Sequence, residues 1–227
     1  MIDIEEREFR QLRELGQKLH IPIPEAFLEL EVRDQDGKVV QRHKQRSHSW
    51  TRNAYNFLFA VGLAPAPMTT ANGLDILNIQ DTTQEFAFYM PSGLRFDYEE
   101  HQYKAAVALD DVGIVVGDSA TAFGFDQYIL QGKIAEGTGA GQLSHQASVL
   151  DSVQDVALVK KAIYTRIFNN NSGATITVRE VALYYSSKAS NASFKGMVER
   201  TVLGSEVPVP NTGQLKVTYT VQLTYPE

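Results

Sequence analysis

The C-terminal segment alternates strictly between apolar and polar side chains, and no other pattern in the chain restricts the fold as much. Lysine, threonine and glutamine residues separate the apolar positions. Those positions are Leu215, Val217, Tyr219, Val221, Leu223 and Tyr225. Successive side chains of a β-strand point to opposite faces of its sheet, so one face of this strand must belong to a hydrophobic core. The other face of the strand must be exposed to solvent or packed against polar groups.

Most of the chain after residue 80 carries similar signals in shorter segments. Runs rich in β-branched and aromatic residues alternate with turn residues, which is typical of many short strands. The candidate strands are residues 85–90, 103–109, 113–116, 123–130, 157–169, 174–185, 194–202 and 215–225. Many strands at short spacing predict a mostly β fold, either an antiparallel β-sandwich or a jelly-roll-like barrel.

Turn residues predict how some of these strands connect. Asp36-Gly37 favours a hairpin between residues 27–33 and 38–40. The segment Asn169-Asn170-Asn171-Ser172-Gly173 has the chemistry of a tight turn, since asparagine and glycine tolerate positive φ. It predicts that residues 163–168 and 176–185 pair as a long antiparallel hairpin. Val207-Pro208-Val209-Pro210 lacks two backbone donors, so it must be an edge strand or a linker.

An amphipathic helix precedes this β-rich part. Four apolar residues recur at spacings of three and four and make one narrow stripe on a charged helix: Phe9, Leu12, Leu15 and Leu19. A stripe this narrow buries little surface, so the helix must dock on its own body or on a neighbouring molecule. We therefore divide the chain into a helical arm, residues 1–24, and a β-rich body, residues 25–227. A long loop at residues 63–80 marks the place where the body could be subdivided.

A second, short helix is predicted between Ser49, which can cap its start, and Gly62, which can end it. Its main apolar face consists of Trp50, Ala54, Phe57, Leu58 and Val61. Tyr55 and Phe59 lie off this face, so the helix is apolar on more than one side. We expect it to be buried against a sheet.

Basic residues cluster just before this helix in an otherwise acidic protein. The cluster contains Arg42, His43, Lys44, Arg46, His48 and Arg52, with Trp50 beside it. Contact with an acidic neighbouring subunit is one interpretation, and contact with nucleic acid is a weaker one. A charged edge strand that discourages unwanted strand pairing explains the cluster more simply, and we favour it. Together with the helical stripe, Arg42, Lys44, Arg46 and Trp50 complete the candidate interface.

The chain shows no pattern typical of a catalytic, cofactor or metal site. It has no cysteine, which excludes disulfides, thiolate metal ligands and a cysteine nucleophile. Its five histidines are scattered, with no pair spaced four positions apart, and the glycines of residues 137–141 lack the setting of a phosphate-binding loop. Residues 97–101, with Asp110 and Asp111, could form a metal patch but are more simply a solvated strand and turn. We predict no enzymatic activity and no cofactor.

Charge and hydropathy bear on partners and location. The net charge of −6 disfavours nucleic acid as a partner, because the phosphate backbone attracts positive surfaces. No apolar run is long enough for a membrane-spanning helix, and the acidic N-terminus does not resemble a signal peptide. We expect a soluble protein that is synthesised in a cytoplasm and does not bind membranes.

A resemblance that extends over about half of the chain is carried by four segments. They are Ser49-Trp50-Thr51-Arg52-Asn53, residues 125–137 beginning Phe125-Asp126-Gln127-Tyr128, residues 166–184, and Val207-Pro208-Val209-Pro210 with residues 215–220. These segments resemble structural proteins of tailed-bacteriophage virions, from the head, neck, tail or fibre. Ala182 stands where such proteins often carry glycine.

The resemblance implies a structural component of a virion, made in the host cytoplasm, that assembles with copies of itself and with other virion proteins. Its contact elements would be the N-terminal helix and the loop at residues 63–80. The alternative is a carbohydrate- or receptor-binding β module of a fibre or surface appendage. In that case exposed aromatic residues such as Tyr98, Tyr184 or Tyr185 would stack on sugars.

Overall fold

The structure, a computed structural model, describes residues 4–47, 49–62, 74–77, 79, 83–86, 103–189 and 192–226. These residues form two helices and eleven strands. The helices are α1 (Ile4–Leu19) and α2 (Arg52–Gly62). The strands are β1 (Ile23–Arg33), β2 (Val39–Ser47), β3 (Leu74–Leu77), β4 (Thr83–Phe86), β5 (Gly113–Gly117), β6 (Ser144–His145), β7 (Val149–Val156), β8 (Val159–Asn169), β9 (Ile176–Ala189), β10 (Ala192–Val209) and β11 (Gln214–Thr224). The prediction of a mostly β fold with an N-terminal helix and a second short helix is confirmed.

Two antiparallel sheets face each other. Sheet A has the strand order β2-β1-β11-β8-β6, and β7 also pairs with β8. Sheet B has the order β10-β9-β5, and β3 and β4 form a separate hairpin. The inner faces of sheets A and B enclose one hydrophobic core. The sandwich prediction is therefore confirmed, and the two sheets do not close into a barrel.

Strand β11 lies in the middle of sheet A, as its alternating pattern requires. It pairs with β1 on one side and β8 on the other, and Leu215, Val217 and Tyr219 are completely buried. Their neighbours of opposite parity are only partly buried on the outer face. Full burial of side chains of this size contributes roughly 1.5–3 kcal/mol each, so this strand anchors the core.

The predicted hairpin between residues 163–168 and 176–185 is wrong. Strand β8 belongs to sheet A and β9 to sheet B, so the segment between them crosses from one sheet to the other. Asn170 is completely buried at this crossing, and its Nδ2 donates to the carbonyls of Ala174 and Val209, each at 2.8 Å. The connection from β10 back to β11 crosses beside it, and Asn170 N donates to Gly213 O at 2.9 Å.

The predicted strand at residues 103–109 is also wrong, since those residues form turns with a single bridge from Ala105 to Ser148. Arg166, on the inner face of β8, supplies backbone carbonyls here with the hydrogen-bond donors that a neighbouring strand would otherwise provide. Its guanidinium donates to the carbonyls of Leu109, Val112 and Ile114. Burial lowers the pKa of Arg166 to about 10, so the side chain remains charged at neutral pH.

The predicted strand at residues 123–130 is a loop that covers the outer face of sheet B. Leu130 packs there against Val115 and Tyr184. Arg200 of β10 donates to the carbonyls of Thr121 and Ala122 just before this loop and to Gln127 Oε1 within it, so an arginine fastens the loop to the sheet. Strands β6 and β7, which pair with β8, were not predicted.

Other boundaries follow the predictions in part. The β1–β2 hairpin is confirmed, with Gly37 at a φ of 77°. Residues 207–209 belong to β10, which pairs only with β9 among the described residues, so their assignment to an edge strand is confirmed. Helix α2 begins at Arg52 and not directly after Ser49. Strand β3 lies within the predicted loop at residues 63–80, and β4 overlaps the start of the predicted strand at residues 85–90. Apart from Ile79, the remaining residues of these two segments lie outside the described residues.

Candidate functional site

Helix α1 lies on the outer face of sheet A and is held there by Arg46. The guanidinium carbon of Arg46 is 4.2 Å from the ring centroid of Phe9 in α1 and 4.6 Å from that of Phe27 in β1. Arg46 also forms ion pairs with Glu6 of α1 (2.6 Å) and with Glu25 of β1. A planar cation stacked between two rings suits arginine better than lysine.

The charges in this contact stabilise one another. Burial lowers the pKa of Arg46, but its hydrogen bonds with Glu6 and Glu25 outweigh burial, and the net shift is upward. The hydrogen bond from Arg46 is also the main reason that the pKa of Glu6 is lowered. The Arg46 side chain is only 8% exposed, so this pairing is shielded from solvent on the arginine side. Helix α1 is thus fixed to the body by one of its faces.

Gly16 allows the C-terminal half of α1 to approach β1 closely. A Cβ atom at this position would lie 2.7 Å from Ile23 Cγ1 and 2.9 Å from Ile21 O. Both distances are shorter than ordinary van der Waals contact, so only glycine fits without a shift of the backbone. Ile21 N donates to Gly16 O at 2.9 Å, and His20 has a φ of 55°, which ends the helix.

The leucines of the predicted stripe lie on another face of α1 and remain exposed. Leu12 is 43% exposed, Leu15 51% and Leu19 56%, and Ile21 just after the helix is 51% exposed. Phe9, the fourth residue of the predicted stripe, faces the body. Single exposed apolar residues are ordinary on protein surfaces, whereas three aligned on a fixed helix, with a fourth directly after it, form a patch of the kind found at interfaces. We call Leu12, Leu15, Leu19 and Ile21 the leucine face.

The basic residues of β2 lie opposite glutamates of β1. Lys44 Nζ is 3.0 Å from Glu29 Oε2, and Arg42 Nη2 is 2.9 Å from Glu31 Oε2. Glu31 also pairs with Arg33, and hydrogen bonds from both arginines lower its pKa. Strand β2 pairs only with β1 among the described residues. Its long charged side chains are thus arranged as on edge strands that resist further pairing.

Trp50 contributes to the core more than to the surface. It is partly buried against the main hydrophobic cluster and forms an isolated bridge with Glu199 of β10. The structure therefore separates the candidate interface residues into four places. Trp50 packs against the core, Leu12, Leu15 and Leu19 are exposed, Phe9 and Arg46 join α1 to sheet A, and Arg42 and Lys44 lie in the ion-paired row of β2.

A patch of exposed aromatic residues lies where α2 meets the loop over sheet B. The rings of Tyr55 (54% exposed) and Phe125 (43% exposed) lie 5.8 Å apart. Arg52 covers the Phe125 ring at 4.9 Å and forms an ion pair with Asp126. We expected α2 to be buried on this side, and for Tyr55 that expectation is wrong. The side chain of Phe59 lies outside the described residues.

Two of the three tyrosines that we considered for sugar binding are buried or partly buried. Tyr184 is 2% exposed and accepts a hydrogen bond from Leu130 N at 2.8 Å. Tyr185 is partly buried, and its ring lies 4.7 Å from that of Phe57 and 5.8 Å from that of Tyr103. Tyr98 lies outside the described residues.

The acidic residues of the predicted metal patch are engaged with lysines. Asp110 lies 3.1 Å from Lys133 Nζ, and Asp111 lies 2.6 Å from Lys195 Nζ. Residues 97–101 are outside the described part of the chain. In the part that is described, histidine, aspartate and glutamate side chains nowhere gather in groups of three or more that could hold a metal ion.

A carboxyl group inside the sandwich was not predicted from the sequence. Glu199 lies at a β-bulge in β10, where the register shifts between Met197 and Glu199, and it is completely buried. Its Oε1 accepts hydrogen bonds from Ser47 and Thr201. Burial raises the pKa of Glu199 to about 7 despite these hydrogen bonds. The group is sealed in the core, so it affects stability and offers no contact to a substrate.

The described surface carries an open groove beside α1. It has a volume of about 340 Å³ and lies on the outer face of sheet A, between Glu6, Lys44 and Thr218. Neither α1 nor α2, as far as they are described, is long and apolar enough to cross a membrane. No family model, curated protein or solved structure matches the chain.

Proposed function

We propose that this chain is a structural component of a tailed-phage virion and works by assembling with itself and with neighbouring virion proteins. The observation that carries the proposal is the leucine face of α1. The helix is fixed to sheet A through Phe9 and Arg46, and three leucines nevertheless point away from the body. Burying this face against a neighbour would stabilise an assembly by roughly 25 cal/mol per Å² before ordering costs. The sequence resemblance supplies the virion context.

Mass spectrometry of purified particles tests the proposal directly. Particles of the phage that encodes the chain should contain it in a fixed ratio to the other virion proteins. The Leu15→Glu variant should lower its incorporation, because a carboxylate in a buried apolar contact is strongly unfavourable. Arg10→Gln changes the net charge equally on the opposite side of α1 and serves as the control. Particles that form fully without the chain would refute the proposal.

A carbohydrate- or receptor-binding module is the second candidate. Exposed Tyr55 and Phe125 favour it, because adjacent aromatic rings can stack on sugar rings. A glycan array with the purified protein would test this function. Binding that is lost in Tyr55→Ala and retained in Leu15→Glu would support it over assembly.

A further inference from the structure

The leucine face and the docked face of α1 point in different directions. Each residue of an α-helix turns the side-chain direction by about 100°, so the two faces lie about 95° apart around the axis. Phe9, Arg13 and Gly16 form the docked face, which contacts the body, and Leu12 and Leu15 belong to the leucine face. A partner helix can therefore reach the leucines along the length of α1 without displacing it from sheet A.

Opposite charges mark the two ends of the leucine face. Glu8 lies in line with it, one turn before Leu12, and Lys18 flanks it just before Leu19. Both residues are exposed, and neither forms an ion pair or a side-chain hydrogen bond with another described residue. They are ten positions apart, which corresponds to about 15 Å along the helix.

We infer that the leucine face binds the same face of a second copy of this chain, with the two helices antiparallel. This inference rests on the proposed function and names the partner of the face. A twofold axis near the middle of the helix places Leu12 of each copy opposite Leu15 of the other. The same axis brings Lys18 of each copy to Glu8 of the other, which makes two ion pairs. Parallel helices would instead bring like charges together at both ends.

The expected contact is small. Two short helices bury less than the roughly 1,200–2,000 Å² of a typical stable protein complex, so an isolated pair should associate weakly. Weak twofold contacts are effective in a symmetric assembly, in which each copy repeats every contact. The pairing should therefore appear at high protein concentration in solution.

Sedimentation equilibrium of the full chain tests the contact itself. The wild-type protein should show reversible dimerisation, and Leu15→Glu should weaken it by at least about tenfold, as expected for the centre of an apolar interface. Arg10→Gln is the control and should dimerise like the wild type. Circular dichroism shows whether each variant keeps its fold. A wild-type protein that stays monomeric at the highest soluble concentration would overturn the inference.

Charge reversal tests the orientation. Glu8→Lys and Lys18→Glu should each weaken self-association, because the dimer of either variant would carry four like charges at the ends of the interface. Mixed together, with one of them labelled with ¹⁵N, they should form mostly mixed dimers in native mass spectrometry, since every end contact then joins opposite charges. Parallel helices would favour mixed dimers as well, so the comparison with the wild type decides the orientation. A parallel wild type already opposes like charges, and variants that self-associate as strongly as the wild type would therefore overturn the antiparallel arrangement. Random mixing, which yields only half mixed dimers, would overturn the end contacts themselves.

The inference and the proposed function can fail separately. A monomeric chain that still enters particles in a Leu15-dependent way would mean that the leucine face binds another virion protein, and only the self-pairing would fail. A dimeric chain that is absent from particles would leave the pairing intact and refute the virion role.

Discussion

Arg200 Nε lies 2.5 Å from Glu180 Oε2, and both side chains are completely buried beneath the loop that covers sheet B. Glu180 also accepts a hydrogen bond from Gly132 N at 2.7 Å, so the pair fastens this loop to the sheet. Removing one partner leaves the other charge buried without its counterion, which typically costs about 3–5 kcal/mol. We predict a loss of this size for Glu180→Ala and for Arg200→Ala in urea unfolding.

The adjacent surface pair provides the control for this prediction. Arg179 Nε lies 2.7 Å from Glu206 Oε1, with side chains 34% and 62% exposed. Exposed pairs contribute about 0–1 kcal/mol, so Arg179→Ala should cost far less than Arg200→Ala. Equal losses at the two positions would show that burial does not determine the strength of the Glu180–Arg200 pair.

Glu199 should make stability fall as pH rises. Burial raises the pKa of Glu199 from its ordinary 4.5 to about 7, so the folded state holds the proton more tightly than the unfolded state. The resulting stability is fully present below pH 4.5 and is lost as pH rises through 7, for a total of roughly 3 kcal/mol. Glutamine cannot ionise, so the unfolding free energy of Glu199→Gln should improve relative to the wild type across this range.

The wild type and Glu199→Gln must be compared at each pH, because the pKa shift of His145 changes stability with pH in the opposite direction. Burial, and then the charge of Arg166, lower the pKa of His145 to about 4. Stability from neutral His145 is present above pH 6.5 and is lost as pH falls through 4. This contribution is the same in the wild type and in Glu199→Gln and therefore cancels in the difference. A difference that stays constant from pH 4.5 to 8 would contradict the assignment to Glu199.

Replacing Arg46 by lysine should loosen α1. Lysine keeps the positive charge but cannot stack as a plane between Phe9 and Phe27, and it cannot pair with Glu6 and Glu25 in the same geometry. We predict faster amide hydrogen exchange along α1 and a loss of about 1–2 kcal/mol in unfolding free energy. Arg42→Lys, at an exposed ion pair in the same strand, should change neither quantity appreciably. Unchanged exchange in Arg46→Lys would mean that other contacts hold the helix.

Asn170 should be more important than its two asparagine neighbours. It is completely buried, with two donated hydrogen bonds, and its Oδ1 accepts from Ser172 N and Oγ. Asn170→Ala would leave Val209 O without its buried donor, at about 1–3 kcal/mol, whereas Ala174 O keeps its hydrogen bond from Ser172 Oγ. Asn171→Ala, at an exposed position, should be within about 0.5 kcal/mol of the wild type. Similar melting temperatures for the two variants would contradict this role.

Asn170 also shows where prediction from sequence fails. Asparagine and glycine allow a sharp turn, and the flanking strands were predicted correctly, but local residue types do not determine which sheet each strand joins. That choice depends on contacts distant in sequence, such as those with Val209 and Gly213. The strands predicted at residues 103–109 and 123–130 fail for a similar reason. Arg166 donates to Leu109 O in the first segment, and Arg200 donates to the Gln127 side chain in the second, and both arginines are remote in sequence.

The candidate site, like the fold, could be predicted from the sequence only in part. Spacing of three and four residues predicted the α1 stripe, and the leucines do share one face. Sequence alone could not show that Phe9 turns towards Arg46 while Leu12, Leu15 and Leu19 stay exposed, because this depends on where sheet A lies. The exposed pair of Tyr55 and Phe125 comes from elements far apart in the chain and left no local signal.

Substituting Gly16 by alanine tests whether α1 needs its close approach to β1. In a free helix this change stabilises by about 1 kcal/mol, because glycine is a poor helix former. Here the added Cβ would meet Ile23 Cγ1 at 2.7 Å and Ile21 O at 2.9 Å, and the backbone oxygen cannot move without unwinding the end of the helix. We therefore predict that Gly16→Ala lowers the unfolding free energy and speeds amide exchange in α1, while Glu14→Ala, on the exposed side, does neither. A stabilised Gly16→Ala protein would mean that α1 in solution does not rest on β1, and the leucine face would then lose the fixed direction on which its pairing with a second copy depends.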